Sequence, residues 1–317
     1  MMVVRPSLAR SISPFWPMIS ITQLWIPFVV LASLGQVLRN AMQRGLTASL
    51  GTVGATHIRF LFGFPFSLIF LGIVLAATHD HLPTPLPSFW PWLVLGTMTQ
   101  IGGTALMLAA MNLRSFVVAT AYIKTEPIQA AVFGFIFLSD QLTIWKVLAI
   151  LVATSGVVLT AIRSGGEKGF GDVKPTMLGL AGAAAFALSA VGYRGAILAV
   201  QGTTFVTAST FTLVLGLFLQ TAVLTSYLLV RDREALQAIF RLWKPSMVAG
   251  FMGAFASQFW FLAFALTAVA NVRTLALIEV LFAQAISHYS FKQKASAREI
   301  AGIALIVIGV GLLVAVQ

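Results

Sequence analysis

Charge and cysteine are what this sequence has least of. Asp, Glu, Lys and Arg together make up only 9% of the 317 residues, no cysteine is present, and 59% of the residues are hydrophobic. A water-soluble domain keeps more charge than this on its exterior, so we expect lipid to be the main solvent of the chain. The absence of cysteine excludes disulfide bridges and metal sites with thiolate ligands.

Acidic residues are scarcer than basic ones, at nine against 20, which gives a net charge of +11. Most of the basic excess lies in short segments between apolar runs, where cations orient membrane helices, so we expect no nucleic-acid partner. The four histidines form no helical ligand pair. Because no nucleophile with a base and no metal cluster can be found either, we expect no enzymatic activity, no catalytic residue, no metal and no cofactor.

Long apolar runs dominate the chain. A spanning helix needs roughly 20 mostly apolar residues, and ten stretches qualify, so we predict an all-α membrane protein. They are residues 24–42, 52–77, 90–111, 116–138, 144–162, 177–200, 205–230, 246–266, 272–290 and 300–316. Residues 1–23 have no compact apolar core and predict an N-terminal tail rather than a signal peptide.

The chain also repeats itself at an offset of 153 positions, without a gap. Matched residues include Gly63 with Gly216 and Gly156 with Gly309, and a matched pair of glutamates is much harder to obtain by chance. We therefore predict two repeats, 24–162 and 177–317, joined by a linker at 163–176. Each holds five spans, an odd number, so the repeats should be inverted, with a binding cavity between them and alternating access.

Lys and Arg gather on one side of the predicted membrane. The connections after odd-numbered spans hold Arg44, Arg114, Arg163, Lys168, Lys174, Arg231, Arg233, Arg241, Lys244, Lys292, Lys294 and Arg298; the other side holds Arg5, Arg10, Lys146 and Arg273. Because such cations stay in the cytoplasm, this bias predicts both termini outside it, in a bacterial-type inner membrane. We expect the chain to function as a monomer.

Two glutamates are the strongest site candidates. Glu126 and Glu279 are the matched pair, and each falls near the centre of a predicted span, the fourth and the ninth. An ionised carboxylate there costs at least a few kcal/mol. Each is either protonated or bonded as packing glue, or it faces a cavity and serves substrate binding or coupling, with protons as a candidate ion.

The fourth span carries further polar residues around its glutamate. Tyr122 and Gln129 lie four residues before and three after Glu126, so a regular helix would place all three on one inward face. Pro127 removes a backbone donor and predicts a bend beside Glu126. Lys124 points to nearly the opposite side and needs a partner from another helix, or a stem that snorkels.

Other polar residues at depth are weaker candidates. Gln100 shares a face with two threonines, and Gln258 lies beside a row of phenylalanines; each is either a polar anchor in a cavity wall or part of one interhelical bond. Arg59, about two turns into the second span, either snorkels or binds an anionic group. Arg39 and Arg194 lie nearer predicted span ends, where we expect them to anchor at the interface.

One region combines a Glu-Pro pair, small and apolar residues, an acidic residue after the span and a last helix that closes in Gly-Val. Its residues are 124–134 (KTEPIQAAVFG), Asp140 and 156–159 (GVVL). This pattern resembles the ten-span EamA family of the drug/metabolite transporter superfamily. The second copy is similar but has Val280 in place of the proline and Gln293 in place of the acidic residue.

The resemblance implies a basket of two inverted five-helix repeats around a central cavity, commonly used to export small metabolites, amino acids or drugs. Arg59 is also similar to an arginine found early in the family's second span. The resemblance further implies that both termini lie in the cytoplasm, which opposes the Lys and Arg distribution.

The leading hypothesis is a secondary carrier that exports a small polar or amphipathic organic molecule. Uptake of a small metabolite is the alternative within this class, and a passive channel or lipid scramblase is an alternative outside it. The expected partners are the small-molecule substrate, protons as a candidate coupling ion, and the bilayer.

Overall fold

The structure is a computed structural model of the chain and describes residues 21–113, 122–161, 173–282 and 296–316. Most of the predicted tail and linker, the start of the fourth predicted span, the end of the ninth and Gln293 lie outside these ranges. Within them the backbone forms α-helices and no strand. The all-α prediction is therefore confirmed.

The helices follow one another with short connections. They are α1 (Trp25–Leu61), α2 (Gly63–Thr78), α3 (Phe89–Leu113), α4 (Glu126–Leu138), α5 (Ile144–Ala161), α6 (Val173–Leu198), α7 (Phe205–Arg231), α8 (Arg233–Arg241), α9 (Trp243–Leu266), α10 (Val269–Leu275) and α11 (Ala297–Ala315).

Six stretches in the described part of the chain are long and apolar enough to cross a membrane: Val53–Thr78, Phe89–Leu113, Val173–Leu198, Phe205–Arg231, Trp243–Leu266 and Ala297–Ala315. Shorter apolar helices are Trp25–Arg39, Glu126–Leu138 and Ile144–Thr160. Large apolar side chains such as Ile69, Ile73, Phe135, Ile136 and Ile308 are exposed on the outside. An apolar exterior is stable in lipid, so this is an integral multi-pass membrane protein.

The first two predicted spans are joined differently from the prediction, which separated 24–42 from 52–77 by a polar connection. Instead, α1 runs from Trp25 to Leu61 with one non-helical residue, Gly51, at φ 65° and ψ 178°. This conformation is accessible essentially to glycine alone, because a Cβ would collide with the backbone. The connection is thus reduced to a kink at Gly51.

The helices pack in a few extensive pairs: α3 with α6, α1 with α9, and α5 with α11, followed by α2 with α7. Glycines allow the close approach. A Cβ added to Gly192 of α6 would lie 2.6 Å from the Gly96 nitrogen of α3, and one added to Gly156 of α5 would lie 2.6 Å from the Gly302 oxygen of α11. Since lipid gives little hydrophobic drive for helix association, such backbone contact supplies much of the packing energy.

One end of the bundle is fastened by an aspartate. Asp80 follows α2, and its Oδ2 accepts hydrogen bonds from the hydroxyls of Thr207 (2.6 Å), Thr203 (2.9 Å) and Thr204 (2.9 Å) and from the Thr204 N–H (3.2 Å). These hydrogen bonds lower the pKa of the Asp80 carboxyl below its usual range. The connection after α2 is thereby held to the start of α7.

An arginine fastens the same end. Arg194 of α6 donates through Nη1 to the Phe264 and Thr267 carbonyls at the end of α9, and its Nη2 lies 3.6 Å from Asp140 Oδ1. The expectation that Arg194 anchors at the membrane interface is therefore wrong. Its guanidinium instead joins three elements, because the helix-terminal carbonyls of α9 have no intrahelical donor.

Candidate functional site

Two breaks in helical structure lie directly before the two glutamates. Residues 122 and 123 are helical, Lys124 and Thr125 form a turn, and α4 begins at Glu126, with Pro127 in its first turn. In the other half, α10 ends at Leu275, Ala276–Ile278 form a 3₁₀ turn, and the backbone is helical again from Glu279. Neither glutamate therefore lies in the middle of a regular helix.

The local chemistry explains the first break. Proline fits the first turn of a helix, where its missing N–H costs nothing, and the negative Glu126 suits the positive N-terminal end of α4. The Tyr122 carbonyl accepts from the Thr125 N–H at 3.1 Å and from the Thr125 hydroxyl at 2.6 Å, which holds the turn closed. The bend predicted from Pro127 is thus present, as a full interruption one residue before the glutamate.

The two glutamates are paired across the breaks. Glu126 Oε1 lies 2.9 Å from Arg273 Nε of α10, and Glu279 forms an ion pair with Lys124 in the turn before α4. Each carboxylate is therefore neutralised by a cation from the other half of the chain. Lys124 does find its partner on another helix, as the sequence required.

A further shell of polar and aromatic groups holds this crossed arrangement. Gln36 of α1 donates from Nε2 to Glu279 Oε2 at 2.9 Å, and Trp260 of α9 donates from Nε1 to Gln36 Oε1 at 3.3 Å. The Arg273 guanidinium lies 5.2 Å from the Trp260 ring centroid and 5.3 Å from that of Phe264. These cation–π contacts add to the ion pair and position Arg273 toward Glu126.

The four charged side chains of this cluster are largely buried. The side chains of Glu279, Glu126, Arg273 and Lys124 are 9%, 15%, 17% and 20% exposed. A buried ion pair adds little net stability, whereas an unpaired charge left behind costs several kcal/mol. Protonation of one glutamate would therefore leave its partner cation without a counter-charge, and a competing anion could then pair with that cation.

Two predicted site residues on the fourth span lie apart from the ion pairs. The Tyr122 hydroxyl accepts from Thr176 Oγ1 at 2.8 Å, and Gln129 Nε2 donates to the Leu180 carbonyl of α6 at 3.4 Å. The prediction of one shared inward face is wrong, because the turn at Lys124–Thr125 interrupts the helix between Tyr122 and Glu126.

The two glutamines predicted as weaker candidates both make interhelical bonds. Gln100 of α3 accepts at Oε1 from Gln220 Nε2 of α7 at 2.8 Å, and the same Gln220 nitrogen lies 3.0 Å from the Tyr193 hydroxyl of α6. Gln258 Nε2 of α9 donates to Thr210 Oγ1 of α7 at 2.8 Å. Both contacts match the packing interpretation that the sequence left open beside the cavity interpretation.

The arginines of α1 are more deeply placed than expected. Arg39 is only 8% exposed, so the prediction of an interface anchor is wrong, because α1 continues past the predicted span end. Arg59 lies with its guanidinium carbon 4.4 Å from the Phe60 ring centroid, and its Nη2 is buried without a hydrogen-bond partner. The residue as a whole is half-buried, and the choice between snorkelling and binding of an anionic group stays a prediction.

Sequence reasoning missed several members of the cluster. Arg273 was placed in a connection, Trp260 in the packing core, and Gln36 was not singled out. The signal that could have found Arg273 is its position six residues before Glu279, inside an apolar stretch. Among the described residues, no group of three or more His, Asp or Glu side chains is arranged to hold a metal ion.

Comparison with known families agrees with this geometry. Residues 23–162 match the model of the EamA-like transporter family. The match covers less than half of the chain, and this part is similar to EamA-like transporters. The matched residues contain Lys124, Glu126 and the 124–134 stretch on which the resemblance to the drug/metabolite transporter superfamily rested. Members of this family are membrane transporters, so the match supports a membrane transporter of the drug/metabolite type.

The fold of this EamA-like chain is also found in solved structures. One described only as "Crystal structure of protein" aligns with a TM-score of 0.73 at 16% sequence identity, covering 94% of this chain and 96% of its own. At that identity the likeness concerns the fold alone. No curated protein matches the sequence.

Proposed function

We propose that this EamA-like protein is a secondary carrier that exports a small organic molecule by alternating access between two inverted repeats of five spans each. The observation that carries the proposal is the crossed pair of ion pairs, Lys124 with Glu279 and Arg273 with Glu126. Discontinuous helices whose ends meet at the interface of two repeats are the usual place for substrate and coupling-ion sites in such carriers.

The helix contacts support the inverted repeat. At the offset of 153 positions, α1 corresponds to α6 and α3 to α9. If each helix is replaced by its counterpart in the other half, the contact of α1 with α9 becomes the contact of α6 with α3. Both of these contacts are extensive. The contacts of α2 with α7 and of α5 with α11 map onto themselves, as expected for a two-fold axis in the membrane plane.

The fastened end suggests how access alternates. Asp80 and Arg194 hold the connections after α2, α4, α6 and α9 together at one end. The Lys and Arg distribution assigns this end to the non-cytoplasmic side of an inner membrane. With these contacts formed, the carrier is closed toward the outside. It opens when the contacts are released and the crossed ion pairs rearrange. We propose that protonation of a glutamate triggers this change.

Transport in proteoliposomes tests the proposal. A thermal-shift screen of the purified protein against a metabolite panel first supplies a ligand, because a ligand that binds the folded state raises its apparent stability. We expect flux of that ligand in the wild type and loss of most of it in Glu126→Gln and Glu279→Gln. Glu234→Gln, an exposed carboxylate on α8, serves as the matched control and should transport normally.

The outcome separates the alternatives. Undiminished flux in both glutamine variants removes the glutamates from the mechanism, and flux that never saturates indicates a channel or scramblase. If an inward proton gradient drives the ligand inward together with protons, the protein is an uptake carrier rather than an exporter.

A further inference from the structure

Two arginines that take no part in the crossed ion pairs lie together in α1, Arg39 buried and Arg59 half-buried. Arg39 precedes the Gly51 kink and Arg59 follows it, and both face Gly253 of α9. A Cβ added to Gly253 would lie 3.3 Å from Arg59 Cβ and 3.6 Å from Arg39 Cδ, so the two stems run side by side. Two positively charged side chains therefore pack against the same position of α9.

None of the interior carboxylates that the structure describes forms an ion pair with Arg59. Glu126, Glu279 and Asp140 are held by Arg273, Lys124 and Arg194. Arg59 Nη2 is buried with no hydrogen-bond partner. An unpaired donor of a charged group is costly at this depth, and so is a second positive charge beside it.

The surroundings of Arg59 fit an anion better than they fit any side chain present. Gly253 contributes no side chain where the two arginine stems meet. The planar guanidinium donates in a fork that matches the two oxygens of a carboxylate or phosphate. A desolvated anion would satisfy Arg59 Nη2 and offset the repulsion from Arg39.

We propose that Arg59, with Arg39 beside it, binds the anionic group of the transported molecule, so that the substrate class is small organic anions bearing a carboxylate or a phosphate. This inference rests on the proposed carrier function. Gln36, one turn before Arg39 on α1, bonds Glu279. A bound anion therefore lies next to the crossed ion pairs, where it can influence them.

The test uses matched pairs of charged and neutral probes at constant ionic strength. Benzoate with benzamide, succinate with succinamide, and phenyl phosphate with phenol are added to the purified full-length protein, and thermal unfolding is followed. We expect at least one anion to raise the unfolding midpoint well above its neutral counterpart. In Arg59→Gln the affinity for that anion should fall at least about tenfold, which corresponds to the loss of one charge-assisted hydrogen bond.

Three further variants sharpen the result. Arg59→Lys keeps the charge but loses the fork and should bind with intermediate affinity. Gly253→Leu places a side chain against both arginine stems, where a Cβ alone would lie 3.3 Å from Arg59 Cβ, and should displace them. It should lose anion binding with both charges intact, which keeps the test decisive if Arg59→Gln does not fold. Arg241→Gln, an exposed arginine on α8, should bind as the wild type does.

The site proposal is overturned if no anion exceeds its neutral counterpart, or if the excess survives in Arg59→Gln and Gly253→Leu. Anion-selective binding without flux in proteoliposomes would overturn the carrier function and leave the anion site standing. Flux of a neutral ligand that Arg59→Gln does not change would overturn the anion site and leave the carrier standing.

Discussion

At the scale of single residues, Lys124 shows why a buried charge depends on its partner. Its ammonium pairs with Glu279, whose side chain is only 9% exposed. Lys124→Met should destabilise the protein by about 3–5 kcal/mol, because it leaves a carboxylate buried without a cation. The double variant Lys124→Met with Glu279→Gln should be more stable than Lys124→Met alone, since neither charge then remains.

A double-mutant cycle measured by thermal unfolding in one detergent checks this coupling. Lys174→Met, at an exposed position near the start of α6, is the control and should change stability little. Additive effects of the two single variants would show that the ion pair does not couple these residues.

Asp80 gives a pH-dependent prediction. Hydrogen bonds from Thr207, Thr203 and Thr204 lower its pKa in the folded protein. For an acid with a depressed folded-state pKa, the extra stability is complete above the unfolded-state pKa, about 3.9, and is lost as pH falls toward the folded-state pKa. The wild type should therefore unfold at a higher temperature than Asp80→Asn at pH 6–7, and this advantage should shrink below about pH 4.

Thermal unfolding of the two proteins from pH 7 to pH 3 measures the difference. His81→Asn, one residue further along the chain and exposed, controls for the loop. A difference that is independent of pH would mean that the threonines do not stabilise the ionised form of Asp80.

At the scale of helices, glycines on α11 decide how closely it packs. A Cβ on Gly309 would lie 2.5 Å from the Ala153 nitrogen of α5, whereas one on Gly311 would meet nothing within 4 Å. Gly309→Ala should therefore destabilise the protein by about 1–3 kcal/mol through overpacking. Gly311→Ala, the same change on the same helix, should be neutral or slightly stabilising. The unfolding midpoints in one detergent compare them, and equal midpoints would contradict the packing.

Apolar length made most of the helices predictable, because a lipid-facing helix must be apolar throughout its span. The interruptions within the helices were harder to predict from the sequence. The Lys124–Thr125 turn could be anticipated in part from Pro127, but the 3₁₀ turn at Ala276–Ile278 has no proline or glycine. The turn follows Arg273, whose ion pair with Glu126 joins distant parts of the sequence that no local pattern connects. The matched glutamates could be found by sliding the chain along itself; their partner cations could not.

At the scale of the whole molecule, orientation is the most direct prediction. The Lys and Arg distribution places α8 in the cytoplasm and the connection between α2 and α3 outside. Burial of Arg273 takes away one of the cations counted on the outer side and so strengthens this bias. Because the chain has no cysteine, single cysteines can report on each side without background.

An impermeant maleimide should label Thr84→Cys in intact cells, and Arg241→Cys only after permeabilisation. Both positions are exposed in the structure. The reverse labelling pattern would place the termini in the cytoplasm and would also reverse the side to which the fastened end is assigned.

Because each ion pair joins one half of the chain to the other, we expect the two halves to evolve together. A substitution at Lys124 alters the constraint on Glu279, and one at Arg273 alters that on Glu126, although each pair is far apart in sequence. A substitution at one helix break should thus be followed by a compensating substitution at the other. Glu126 and Arg273, and likewise Glu279 and Lys124, should therefore co-vary among related chains as linked pairs.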